Sequence, residues 1–282
     1  MVDAFSLPGS RPLGCLLVHG FTGTPEEMRP LAETLAAHGF PVHAVRLAGH
    51  GTDVTELART RWSDWFASVE AGVAHLRATA GRLAVAGMSM GSLLALHLAA
   101  TRPADVTALV LCGTPLRLGD ARMRWVPLIS RLLPTRLAMI AKTDGPDVAD
   151  AAMRAASLSY RMTPLAGVVQ LLRLQVTVRA ELPRVTQPAL LLHGRHDHSV
   201  PLVNLELLHR SLGSPWIETG ILERSWHARA HAVVREAHVL RGGSHRGDDE
   251  DGEQNDTHGG PPGDGGEAAN VASAWRRVQP AI

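Results

Sequence analysis

Short runs of consecutive apolar residues alternate along this chain with segments of helical period. That alternation limits its fold more than any other feature. "GCLLVHGF" (14–21), "FPVHAVRLAGHG" (40–51), "RLAVAGMS" (82–89), "DVTALVLCGTP" (105–115), "QPALLLHGRHD" (187–197) and "PWIETGILE" (215–223) read as strands bounded by glycine or proline. Several are apolar at successive positions, which requires burial on both faces of a sheet. Between them, "TPEEMRPLAETLAAHG" (24–39), "TRWSDWFASVEAGVAHLRATAG" (60–81), "MGSLLALHLAATR" (90–102) and "SVPLVNLELLHRSLG" (199–213) read as helices. In the first of these, Thr24 is placed to cap, Pro25 to open the first turn and Glu27 to complete a capping box, and Gly39 ends it. The expected fold class is α/β, a mostly parallel sheet covered by helices on both faces.

Residues 116–183 break the alternation. "MRWVPLISRLLPTRLAMIA" and "PLAGVVQLLRLQVTVRAEL" read as amphipathic helices, and the insert far exceeds the usual crossover of about a dozen residues. It is expected to form a helical cap over the carboxyl ends of the strands; the alternative is ordinary helices packed on the sheet. The core is then 1–115 with 184–241. Residues 242–282 are glycine-rich, acidic and poor in aliphatics, so a disordered tail is expected.

Composition excludes several classes. The formal net charge is +1, which gives no general polyanion-binding surface, and no nucleic-acid partner is expected. Cys15 and Cys112 both lie inside apolar runs and are expected as small core residues, not as a disulfide framework or metal ligands. "MVDAFSLPGSRPLG" lacks a basic region followed by an apolar one, and no run is apolar enough to span a bilayer. A soluble cytoplasmic protein is expected.

The chemistry centres on "Gly87-Met88-Ser89-Met90-Gly91", a G-x-S-x-G pattern at a strand-to-helix junction. A tight turn there strains the serine and brings backbones close, and glycines on either side remove the clashing Cβ atoms. A serine hydroxyl needs a base and a group to orient that base. His227 follows the last strand and Asp197 ends the one before it, giving the order Ser89, Asp197, His227 found in α/β-hydrolases. Asp120 is the alternative orienting carboxylate. His196 and His198 read as surface or supporting residues, and His43, His97 and His193 as buried or edge residues. His231, His238 and His245 lie beyond the expected loop. Two backbone donors would complete an oxyanion hole: the amide of Met90 and, from "His19-Gly20-Phe21-Thr22-Gly23", that of Phe21.

With those motifs in place, "LLVHGFTGTPEEMRPLAETLAAHGF", "RLAGHGT", "RWSDWFASVE", "VAGMSMGSLLALHLA", "LCGTP" and "LLLHGRHDHSVP" resemble the bacterial carboxylesterase and monoacylglycerol lipase family of the α/β-hydrolase superfamily. The resemblance spans about residues 5–227. It implies the α/β-hydrolase fold, with Ser89 as nucleophile, Asp197 and His227 as its partners, and the Phe21 and Met90 amides as the oxyanion hole. It also implies an apolar acyl pocket under a small cap, no cofactor and no metal. The expected activity is cleavage of carboxylic esters of short to medium acyl chain, with monoacylglycerols among the candidates. The alternatives are an amidase, peptidase or thioesterase of this fold, or a catalytically impaired binder of apolar ligands. Two departures stand out. Ala48 replaces a usual proline, and after His227 "ARAHAVVREAHVLRGGSHRGDDEDG" replaces an acidic, apolar segment and helix. That change of character suggests a frameshifted end, which translation of the coding DNA in the other frames would test.

Overall fold

The computed structural model describes residues 2–119, 125–126, 139–141, 160, 162–223 and 225. Asp120, His227, His231, His238, His245, the 242–282 tail and much of 116–183 lie outside the described residues.

The strands are β1 (Phe5–Leu7), β2 (Leu13–Val18), β3 (Val42–Val45), β4 (Arg82–Met88), β5 (Ala108–Cys112), β6 (Met139–Ala141), β7 (Met162–Pro164), β8 (Ala189–Gly194) and β9 (Ile217–Leu222). The helices are α1 (Arg29–Ala37), α2 (Val54–Leu57), α3 (Trp62–Arg77), α4 (Met90–Thr101), α5 (Leu165–Glu181) and α6 (Val203–Ser211). Seven strands form one sheet in the order β1-β3-β2-β4-β5-β8-β9, parallel throughout except for β1. The expected parallel sheet with helices on both faces is present.

The period-two geometry of a strand explains the continuous apolar runs. Leu16 and Val18 of β2 face a core shared with Val85, Leu109 and Leu191, which α3, α4 and α5 cover. Cys15 and Leu17 face the other core, with Ala84, Val110 and Leu192, against Leu31 and Leu35 of α1. Both cysteines are buried and unbridged, as expected. Burial pushes both thiols well above the ordinary range, and at Cys112 the negative charge of Asp197 adds to it. Helix α4 is buried almost all round between α3, α5 and the sheet.

Strand β2 starts in the middle of the sheet. The chain moves to one side for β3 and to the other for β4. The loops leaving β2 and β4 therefore diverge from adjacent strands, and the crevice between them is where ligands sit in open parallel sheets. Val18 pairs with Gly87, so both loops depart at the same level.

Several local expectations need correction. Thr24 makes no side-chain cap. The helix opens as a 3₁₀ turn, Pro25–Met28, in which the Glu27 amide donates to the Thr24 carbonyl at 3.1 Å. The third amide of the turn is thereby satisfied by backbone, and the buried Thr24 hydroxyl has no hydrogen-bond partner among the described residues. Met139–Ala141, the end of an expected helix, is instead extended, because its backbone pairs antiparallel with Met162–Pro164. Strand β1 and the single-turn helix α2 were not anticipated.

Candidate active site

Ser89 sits between β4 and α4 with φ 52° and ψ −119°, a left-handed conformation that costs a non-glycine residue about 1–3 kcal/mol. Close packing holds it there. A Cβ on Gly87 would lie 2.5 Å from the Gly91 carbonyl oxygen, and one on Gly91 would collide with the Val18 carbonyl oxygen. The Ser89 amide donates to the Cys112 carbonyl at 2.8 Å. The buried Ser92 hydroxyl donates to the Gly87 carbonyl at 2.7 Å and accepts from the Cys112 amide at 3.2 Å.

The loop after β2 runs alongside. A Cβ on Gly20 would be 3.4 Å from the Ser89 Cβ, so the two backbones face one another directly. Gly20 to Gly23 form a turn closed by the Gly23 amide on the Gly20 carbonyl at 3.1 Å, with Thr22 left-handed at φ 62°. Among the described residues, neither the Phe21 nor the Met90 amide donates to a protein acceptor. Met90 opens α4, where the first amides have no intrahelical acceptor and the helix dipole favours negative charge.

Two buried histidines underlie this turn. The Leu47 amide donates to His19 Nε2 at 3.3 Å, so the proton is on Nδ1, which donates to the Gly20 carbonyl at 2.9 Å. Burial, then the neighbouring His50, hold the His19 pKa down to about 3 against that hydrogen bond. His50 donates from Nδ1 to the Ala48 carbonyl at 3.0 Å, and burial lowers its pKa to about 4. Both rings are therefore neutral near pH 7. His50 also packs edge-on against Phe21 and Trp65.

Asp197 follows β8 and is buried, with Oδ1 accepting from the amides of Ser199 at 3.0 Å and Val200 at 2.8 Å. His193 supports the loop: its Nε2 donates to the Val200 carbonyl at 2.9 Å and lies 3.7 Å from Asp197 Oδ2. His196 and His198 are exposed, as expected. His97 is buried on α4, with Nδ1 2.7 Å from the Glu181 carboxylate. Beyond β9, Ser225 lies beside the start of the Asp197 loop. The Arg195 amide donates to the Leu222 carbonyl and the His196 amide to the Ser225 carbonyl, both at 3.0 Å. Ser89, Asp197 and the Gly20–Gly23 turn thus lie at the carboxyl ends of β4, β8 and β2, on one rim of the sheet.

A family model described as serine aminopeptidase, S33 matches residues 13–231. The chain belongs to this family. Over 223 residues the hydrolase is 37% identical to the thermostable monoacylglycerol lipase of Bacillus sp. (strain H-257), covering 77% of this chain and 83% of that one. It is 24% identical over 222 residues to the carboxylesterase of Bacillus subtilis (strain 168), covering 78% and 84%. Among solved structures it resembles one from work on LipS and LipT, two metagenome-derived lipolytic enzymes. The TM-score is 0.73 at 32% identity, with 80% of this chain and 89% of that one covered. Its fold is the α/β-hydrolase fold. Among the described residues of the hydrolase, no helix is long and apolar enough to cross a membrane.

Sequence reasoning about the hydrolase overlooked Ser92, His50 and Tyr160. Ser92 had a signal, since a hydroxyl inside an otherwise apolar helix needs a partner. The contacts of His50 and Tyr160 join segments remote in sequence, and no local pattern marks them.

Proposed function

We propose that the chain is an ester-cleaving serine hydrolase, acting on carboxylic esters of short to medium acyl chain, monoacylglycerols included. The observation that carries this reading is the left-handed Ser89, held by two glycines at the head of a buried helix and facing the Gly20–Gly23 turn. The names of the two relatives, monoacylglycerol lipase and carboxylesterase, support the substrate class. They also favour an enzyme over an inactive binder.

In this reading Ser89 Oγ attacks the ester carbonyl while His227 takes its proton. The imidazolium then returns the proton to the departing alcohol. Asp197 orients the imidazole through its carboxylate, and the amides fixing Oδ1 hold that carboxylate still. The hydrogen bond from the His196 amide to the Ser225 carbonyl supports this partnership, because it joins the residue before Asp197 to one two positions before His227. The Phe21 and Met90 amides stabilise the oxyanion, and water releases the acid. None of these steps needs a cofactor.

The family description gives one specific reason for a second reading, peptide or amide cleavage, which uses the same groups. Hydrolysis of p-nitrophenyl butyrate by wild type and Ser89→Ala tests the first. Activity in the wild type and its loss in the variant support it. Equal rates overturn Ser89 as the nucleophile, and a panel on which aminoacyl amides outrun esters would favour the second reading.

A further inference from the structure

Thr22 is a side-chain-bearing residue at a positive φ in the turn that presents the Phe21 amide. Turns of this kind ordinarily place glycine at that position, and Gly23 stands one residue too late. A threonine there is strained and persists only when its surroundings hold it. Tyr160, ahead of α5, supplies such a hold. The Tyr160 amide donates to the Thr22 carbonyl at 3.2 Å. The Tyr160 hydroxyl donates to the Gly49 carbonyl at 3.1 Å and accepts from the Thr52 amide at 2.9 Å. One residue thus ties the turn after β2 to the loop after β3. Helix α5 adds a second contact, because Gly167 leaves room for the Phe21 ring: a Cβ there would lie 2.8 Å from Phe21 Cζ.

We propose that Tyr160 is a positioning residue of the Gly20–Gly23 turn, holding Thr22 left-handed and thereby fixing the aim of the Phe21 amide at the reacting carbonyl oxygen. The catalytic consequence rests on the serine-esterase reading above; the mechanical one does not. Tyr160→Phe keeps the ring and removes the two hydrogen bonds by which the hydroxyl anchors residue 160 to the loop after β3, so the amide that holds the Thr22 carbonyl loses its fixed mount. Two measurements separate the consequences. In the first, amide hydrogen exchange of the 19–24 peptide should quicken about tenfold in Tyr160→Phe, in keeping with the loss of two hydrogen bonds of modest net strength, while peptides from α4 stay unchanged. In the second, kcat for p-nitrophenyl butyrate should fall about tenfold with KM within about twofold. The dissociation constant of butylboronic acid, which forms a tetrahedral adduct on serine, should rise in parallel.

Gly167→Ala supplies an independent variant. The methyl group must displace the Phe21 ring while the Tyr160 hydrogen bonds are left in place, and it should give the same split between kcat and KM. Unchanged exchange in the 19–24 peptide overturns the proposal, as does a change in KM alone. If wild type and Ser89→Ala hydrolyse the ester equally, the esterase reading fails, and the exchange comparison still decides the role of Tyr160.

Discussion

The Ser92 hydroxyl and the Gly87 carbonyl are 2.7 Å apart, and that hydrogen bond joins the first turn of α4 to the end of β4 across the strained residue between them. The Cys112 amide completes the bridge by donating to the same oxygen. Ser92→Ala leaves both backbone groups buried without this partner. A loss of about 1–3 kcal/mol in urea denaturation is expected. Labelling of Ser89 by a fluorophosphonate should slow as well, and full stability in the alanine variant would refute the bridging role.

Strain at Ser89 predicts a divergence between two variants that both lack the hydroxyl. Ser89→Ala keeps a Cβ at φ 52°, whereas Ser89→Gly removes it. The glycine variant should be the more stable by about 1 kcal/mol, within the usual range for a relieved left-handed residue. Thermal melts of the two proteins side by side decide this, and equal midpoints would show that the turn stores no such energy.

Two glycines near the site should respond differently to the same added methyl group. In Gly91→Ala the new Cβ meets the Val18 carbonyl oxygen, backbone that cannot step aside, and a cost of several kcal/mol is expected, above the typical range for a point mutation. In Gly20→Ala the nearest atom is the Ser89 Cβ at 3.4 Å, an ordinary contact. The Gly20 variant should fold normally and, on the serine-hydrolase reading, lose activity by crowding Ser89. Soluble yield and kcat/KM, measured for each, give the comparison.

How much of this the residues announced depends on how local each signal was. The inner strands were readable because burial on both faces leaves continuous apolar runs such as Leu83–Ala86. Strand β1 was not, being three half-exposed residues at the sheet edge. The strained turn at Ser89 was readable from the spacing of its glycines, and the loop position of Asp197 from the strand before it. Thr22 was not, since glycine preference would put the positive φ on Gly23. The Tyr160 contacts join residues more than a hundred positions apart, such as Thr52, and arise only when the sheet is assembled. His227 and the segment after it lie outside the described residues, so its partnership with Ser89 stands as a proposal.

The paired histidines predict the pH dependence of stability. The folded-state pKa of His19 is held down to about 3 and that of His50 to about 4, against an ordinary value of 6.5. Between pH 6.5 and about 4 the unfolded chain therefore binds more protons than the folded one. The stability of the neutral rings is complete above pH 6.5 and is lost as pH falls through that window. The slope is up to about 1.4 kcal/mol per pH unit for each group. Urea midpoints at pH 4.5, 5.5 and 7.5 should show it, and His50→Gln should make the curve shallower. A flat profile in the wild type would contradict neutral burial of these rings.

The strand order has a consequence for how such a molecule can change over generations. Ser89 leaves β4 and Asp197 leaves β8, with β5 lying between them. Their separation is measured out in backbone steps of about 4.8 Å across the sheet and about 3.3 Å along it. A lattice of that kind does not stretch by small amounts. Loops and insertions at the rim can lengthen, shorten or be exchanged while the spacing of the strand ends that carry Ser89 and Asp197 stays on the same grid points. On the proposed mechanism, drift at the surface is free to alter what is cleaved, while a change in how it is cleaved requires a whole-register slip.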